Sequence, residues 1–163
     1  MPARRYLVPT LSLAVQLFFC IAADAGWQYA EWGMTPDQVI AASNGAASRQ
    51  EAKPSKTGWS VFLLHSDYST GPFKFEASFG FNMRSGTLRE VELRLENGIK
   101  EASRLQDHLI KKYGDPLSVE LFGQVTRVTT WRDDKENNVI ELLELPMMDS
   151  YILSYRALNY AFD

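Results

Sequence analysis

Residues 73–83 read Phe-Lys-Phe-Glu-Ala-Ser-Phe-Gly-Phe-Asn-Met, so an apolar side chain stands at every odd-numbered position. Successive side chains of a β-strand point to opposite faces of the sheet, and a period of two therefore predicts a strand with one buried face. Residues 88–95 continue the pattern, with Val91, Leu93 and Leu95 at alternate positions. Together the two segments predict an antiparallel hairpin at the centre of the fold.

The pairing of this hairpin follows from keeping the apolar side chains on one face. A three-residue loop that ends at a left-handed Gly86 pairs Phe79 with Val91, whereas a two-residue loop mixes the two faces. In this register Glu90 and Glu92 lie on the opposite, polar face of the sheet. No apolar neighbour is expected there to raise a carboxyl pKa, so we expect both side chains to be solvated.

Two helices are marked by their ends. Thr35 is a favourable N-cap, Pro36 suits the first helical position, and Gln38 completes a capping box. The longer helix covers 98–113, where apolar residues recur at helical spacing, and Gly114 caps it.

The remaining elements complete a repeated order. Four further strands are predicted at 59–68, 125–132, 139–145 and 151–158. The order is then a helix and three strands, twice, with pseudo-repeats at about 35–97 and 98–162. The expected fold class is α+β, with two αβββ units forming an antiparallel meander and the helices packed on one face.

Two polar segments are expected to connect these elements. Residues 49–58 contain Lys53, Pro54 and Lys56, and they predict an exposed loop. Residues 133–138 resemble a calcium loop, but a lysine stands at the third position and an asparagine replaces the glycine at the sixth. A polar hairpin loop is the better interpretation.

The first 25 residues are predicted to be a signal peptide, followed by one domain over residues 26–163. Arg4 and Arg5 precede an apolar run at 11–23, and a small-x-small site ends at Ala25. The run is short for a membrane anchor, and no stable span is expected after cleavage. A periplasmic or secreted location follows.

The composition of the mature chain, residues 26–163, argues against two classes of function. The whole chain has 17 basic and 20 acidic residues, and removal of Arg4, Arg5 and Asp24 leaves a net charge of −4. Such a balance argues against a nucleic-acid partner. The single cysteine, Cys20, leaves with the signal peptide, so no thiol or disulfide chemistry is expected.

Few residues point to catalysis. The sequence has neither a nucleophile elbow nor a glycine-rich phosphate motif. His65 and Asp67 are two positions apart on one strand, so they share a face and could serve a small hydrolase or a metal-dependent enzyme. A tetrahedral metal site needs further ligands that the neighbouring sequence does not supply. We therefore predict no catalytic residue, no cofactor and no metal, with this enzyme as the alternative.

Apolar residues outside the hairpin suggest a partner surface. Trp27, Tyr29 and Trp32 follow the cleavage site and either cover the core or form an exposed patch. The strand at 139–145 carries apolar residues on both faces, among them Ile140 and Leu142. Each of its faces is therefore expected to pack against another part of the protein or against a partner. These five residues are the candidate surface for an envelope protein or for a second copy of the chain.

One motif carries a resemblance. The string Gly-Met-Thr-Pro-Asp-Gln-Val at 33–39 resembles the helix opening of small envelope proteins of the BamE/SmpA type. The repeated order of helix and antiparallel sheet looks like the β-lactamase-inhibitor protein superfamily, and the Tyr-Gly-Asp-Pro at 113–116 is similar to a helix end in the same kinds of proteins. The predicted export and the absence of a catalytic motif together predict a soluble, non-catalytic binding or adaptor domain of the cell envelope. A structural homodimer is a further alternative.

Overall fold

The computed structural model of the chain describes residues 26–56, 58–96, 98–123 and 125–158. The predicted signal peptide at 1–25 lies outside these residues. Within the described ranges the chain forms two helices, ten strands and one short 3-10 turn. Their bounds are β1 Gly26–Trp27, β2 Ala30–Glu31, α1 Pro36–Ala42, β3 Ser48–Pro54, β4 Ser60–Thr70, β5 Phe73–Asn82, β6 Leu88–Leu95, α2 Gly98–Tyr113, β7 Ser118–Phe122, β8 Thr126–Asp133, β9 Asn138–Leu145, the 3-10 turn Pro146–Met148, and β10 Ser150–Ala157.

Eight of the strands form one antiparallel sheet. Its order is β3-β4-β5-β6-β10-β9-β8-β7, while β1 and β2 form a separate two-stranded hairpin. Each half of the sheet is a meander that follows one helix, and the last strands of the two halves, β6 and β10, pair at the centre. The order leaves β3 and β7 as the two edges.

The predicted α+β fold of two αβββ units is wrong, although the antiparallel sheet itself is confirmed. Strands make up 53% of the described residues, and each helix is followed by four strands rather than three. The additional strands are the two edges. Strand β3 replaces much of the loop predicted at 49–58, and β7 lies where no element was predicted. Strand β3 lacks the alternation of apolar and polar residues that marks a strand with a buried face, and at β7 the alternation extends over only five residues, 117–121.

The register predicted for the β5–β6 hairpin is confirmed, but its loop is not. Phe79 pairs with Val91, as expected. The loop has four residues rather than three, and Gly86 closes it in the left-handed conformation, at φ 69°, with its N–H donating to Asn82 O over 2.8 Å. A β-bulge at Arg89 then restores the register, because it inserts one residue into β6.

The helix signals are confirmed. Thr35 Oγ1 accepts a hydrogen bond from the Gln38 N–H over 3.4 Å, and Gln38 Oε1 accepts one from the Thr35 N–H over 2.8 Å, which is the predicted capping box. The longer helix has the predicted bounds, Gly98–Tyr113. None of the helices in the described ranges is long and apolar enough to cross a bilayer.

The core lies on one face of the sheet, which we call the covered face. Leu105 and Leu109 of α2 are buried there with Phe75, Leu93 and Leu153 of the sheet. Residues 26–34, which we call the N-terminal segment, cover another part of the same face, where Trp27 packs against Phe79. We call the opposite face the open face, because neither α1 nor α2 packs against it.

Candidate functional site

The candidate catalytic pair is on the open face. His65 and Asp67 share this face of β4, because they pair with Ser78 and Glu76 of β5. The Nε2 atom of His65 lies 2.9 Å from Ser48 Oγ on β3, and Asp67 is exposed. The described ranges hold no group of three or more His, Cys, Asp or Glu side chains placed to bind a metal ion. His65 therefore contacts Ser48 near an edge of the sheet, and Asp67 takes no part in this contact.

The predicted partner surface lies inside the protein. Trp27, Trp32, Ile140 and Leu142 are all buried in the core, and Tyr29 is half-buried against it. Ile140 and Leu142 lie on the covered face of β9 and belong to the same core cluster as Trp27 and Trp32, whereas Leu143 and Leu145 on the open face are half-buried. A contact surface must therefore be formed by other residues.

The N-terminal segment is fixed to the second half of the sheet by polar contacts. The indole N–H of Trp32 donates to Asn138 Oδ1 over 2.8 Å, and Asn138 Nδ2 donates to Gly26 O over 3.0 Å. Trp27 packs edge-on against Tyr68, with ring centroids 4.9 Å apart. These contacts bury the aromatic residues that follow the predicted cleavage site.

A groove of about 320 Å³ opens between the N-terminal segment and the end of α2. The hydroxyls of Tyr113 and Tyr155 lie 3.3 Å apart in it, and burial raises the pKa of Tyr155 well above its usual value. The Lys112 ammonium lies 4.8 Å from the centre of the Tyr113 ring. Two lysines and two acidic residues line the groove, so its charge is balanced and favours neither an anion nor a cation.

The open face contains a buried carboxylate, which corrects the expectation that Glu90 is solvated. Glu90 is only 6% exposed, and its Oε1 has no hydrogen-bond partner among the described residues. A Cβ built on Gly80 would lie 2.7 Å from Glu90 Cγ and 3.0 Å from Phe62 Cε1, so glycine makes room for both side chains. Arg156 stands opposite Glu90 on β10 and donates to Glu141.

Glu92 shares the environment of Glu90. Burial raises the pKa of Glu92, and the charge of Glu90 raises it further, although Lys56, Arg94 and Arg156 act in the opposite direction. The expectation of a fully solvated pair is therefore wrong for Glu92 as well. The cluster lies in the middle of a sheet face, and Ser78 and Ser154 flank Glu92 on the two neighbouring strands.

The most unusual surface is at the β7 end of the sheet. Five of the ten large apolar side chains that are exposed in the described residues lie at 117–125, and two more lie in the 3-10 turn whose Pro146 borders the same depression as Leu121. We call these seven the apolar edge: Leu117, Val119, Leu121, Phe122, Val125, Met147 and Met148. Leu121 is 72% exposed and Met147 is 81% exposed. Leu121, Val125 and Pro146 line one shallow depression of about 190 Å³. Exposed apolar patches of this kind mark contact surfaces.

The opposite edge of the sheet has a different character. Strand β3 reads Ser-Arg-Gln-Glu-Ala-Lys-Pro, and its pairing with β4 is interrupted by a bulge between Arg49 and Lys53. Charged residues, a terminal proline and a bulge are the means by which proteins prevent an edge strand from pairing with another chain. Strand β7, Ser-Val-Glu-Leu-Phe, has one charge, no proline and an uninterrupted register with β8.

The base of the apolar edge is held by an ion pair. Arg127 of β8 donates through Nε and Nη2 to the buried carboxylate of Glu144, and Nη2 also donates to Gln106 of α2 over 3.2 Å. The hydrogen bonds to Glu144 raise the pKa of Arg127. The bond to Gln106 holds α2 with this residue towards β8. Ile110 lies one turn after Gln106 on the same side of α2, and its exposed side chain extends the apolar surface.

Comparison with known proteins adds little to this description. Neither a protein-family model nor a curated protein sequence matches the chain. The structure is similar to a DUF4309 family protein, YjgB, from Bacillus subtilis subsp. subtilis str. 168, with 12% sequence identity and a TM-score of 0.44 over 76% of this chain and 78% of that chain. A likeness at this level supports no functional assignment, and the resemblance of residues 33–39 to BamE/SmpA-type proteins stays a prediction.

Proposed function

We propose that the chain is an exported, non-catalytic binding domain of the cell envelope that binds a protein partner through the apolar edge. The concentration of exposed apolar side chains around β7 is the observation that carries the proposal. The signal-like segment at 1–25 supports export, and its removal is expected to leave Gly26 as the first residue.

The exposed residues of the apolar edge contribute little to the fold. Leu121 and Met147 keep most of their surface in water, whereas a core leucine such as Leu105 is almost fully buried. Burial of a leucine side chain stabilises a protein by about 1.5–3 kcal/mol, and these residues gain little of that within the chain. Covering this surface with a partner is favourable, because it removes the apolar area of these side chains from water.

Affinity capture tests the proposal. The tagged mature chain, residues 26–163, is used to capture proteins from the envelope fraction of its own source. The double variant Val119→Ser and Leu121→Ser removes two exposed apolar side chains, and we expect it to lose the partner while it stays folded. Met83→Ser is the matched control, because Met83 is equally exposed but lies in the β5–β6 loop. Equal capture by wild type and the double variant would refute binding through this edge.

The hydrolase alternative is favoured by one contact, the 2.9 Å approach of Ser48 Oγ to His65 Nε2. A fluorophosphonate probe labels serines that such a histidine activates. Labelling of the wild type that Ser48→Ala and His65→Gln both abolish would support a hydrolase, and absence of labelling would leave the binding function as the better proposal.

A further inference from the structure

We infer that the partner of the apolar edge is an extended polypeptide segment that adds to β7 as a ninth strand of the sheet. This inference rests on the proposed function and specifies how the partner is bound. The outer side of β7 pairs with no strand in the described residues, so each second backbone N–H and C=O group along it is available to another chain.

The side chains of β7 indicate what the added segment contains. Val119 and Leu121 project from the covered face, because their partners on β8 are Thr129 and Arg127. A neighbouring antiparallel strand places every second side chain on this same face, where the exposed Val119 and Leu121 would pack against it. A segment with apolar residues at alternate positions fits this edge.

The open face of β7 supplies a charge that selects between partners. Glu120 is exposed at the middle of the strand, on the face opposite Val119 and Leu121. A second copy of β7 in full antiparallel overlap would place Glu120 directly opposite Glu120 of that copy, and like charges in this position destabilise a sheet. A segment of another protein with a basic residue opposite Glu120 avoids the repulsion and gains an ion pair. The geometry therefore favours a foreign segment over self-association.

Binding by strand addition depends on backbone groups, and a synthetic peptide can test this directly. The probe is a fluorescent peptide of eight residues, Thr-Val-Thr-Val-Lys-Val-Thr-Val, mixed with the mature chain and followed by anisotropy. Its control is the same peptide with the backbone nitrogens of alternate residues methylated. The methyl groups remove the N–H donors along one edge of the peptide, so that edge cannot donate hydrogen bonds to β7. We expect N-methylation to weaken binding at least about tenfold, because several hydrogen bonds are lost together.

A charge exchange tests the register. Glu120→Lys should weaken binding of the lysine peptide and strengthen binding of the same peptide with glutamate in place of lysine. Glu51→Lys on β3 is the control, since it makes the same change on the opposite edge, and it should alter neither affinity.

The outcomes separate the inference from the proposed function. If the Val119→Ser, Leu121→Ser variant loses peptide binding and the N-methylated peptide binds as well as the parent, strand addition is refuted and an apolar contact remains. If the parent peptide does not bind the wild type at all, strand addition is likewise refuted, and envelope capture decides the proposed function independently. A dimeric mass of the mature chain in sedimentation at micromolar concentration, lost in Leu121→Ser, would show that a second copy occupies the edge and would overturn the choice of a foreign segment.

Discussion

The hydrogen bond between Trp32 and Asn138 joins parts of the chain that are 106 residues apart in sequence, and its strength can be predicted. Both side chains are buried, and the indole N–H donates over 2.8 Å. Trp32→Phe removes the donor and leaves Asn138 Oδ1 without it, whereas Asn138→Ala removes the acceptor and also the bond to Gly26 O. A buried polar group without a partner costs about 1–3 kcal/mol, so we expect each variant to lose stability by at least that amount.

The double variant measures the bond itself. Once one partner is absent, loss of the other removes no further hydrogen bond between them, so the effects should not add. We expect a coupling free energy of about 1–2 kcal/mol, obtained from urea unfolding of the wild type, both single variants and the double variant. Trp59→Phe is the control, because Trp59 is exposed, and it should change stability by less than about 0.5 kcal/mol. Additive effects would refute the claim that this bond fixes the N-terminal segment to β9.

Three further predictions concern stability, each measured by urea unfolding. Leu105→Ala should cost about 2–5 kcal/mol because Leu105 is in the core, whereas Leu121→Ser should change stability by less than about 0.5 kcal/mol; equal losses would contradict the assignment of Leu121 to a contact surface. Thr129→Val should stabilise by about 1 kcal/mol, because the fully buried hydroxyl has no partner among the described residues, and a loss would show that it has one. Glu92→Gln should be more stable than wild type at neutral pH, because the pKa of Glu92 is raised in the fold and its favourable contribution is lost as the pH rises through that value. This advantage should disappear in acid, and an advantage independent of pH would contradict the assignment.

Local signals in the sequence predicted the centre of the fold well. The β5–β6 pairing follows from one buried face, and the ends of α1 follow from capping residues, so neither depends on distant parts of the chain. The two edges gave weaker signals. Strand β3 is exposed and polar along most of its length, so it shows no alternation of apolar and polar residues. Residues 117–121 do alternate, as Leu-Ser-Val-Glu-Leu, and this short run is the signal that could have predicted β7.

Which polar and aromatic side chains are buried depends on long-range packing that the sequence does not reveal. Glu90 is buried because Phe62 lies beside it over Gly80, and the β-bulge between Phe62 and Leu64 is what turns the Phe62 side chain to the open face. Trp27 and Ile140 were candidate surface residues, but long-range folding of the N-terminal segment brings both into the core. The apolar edge became visible only once β7 was known to end the sheet.

Hydrogen exchange tests most directly the central claim that the partner binds at the β7 edge. The tagged mature chain is captured from the envelope fraction with its partner bound, and exchange of its backbone amides is compared with that of the free chain. The account predicts slower exchange in the bound chain within residues 117–125 and 146–148, with residues 48–54 of β3 unchanged. Protection confined to β3, to the open face or to the groove beside Tyr113, with exchange at β7 unaltered, would contradict it.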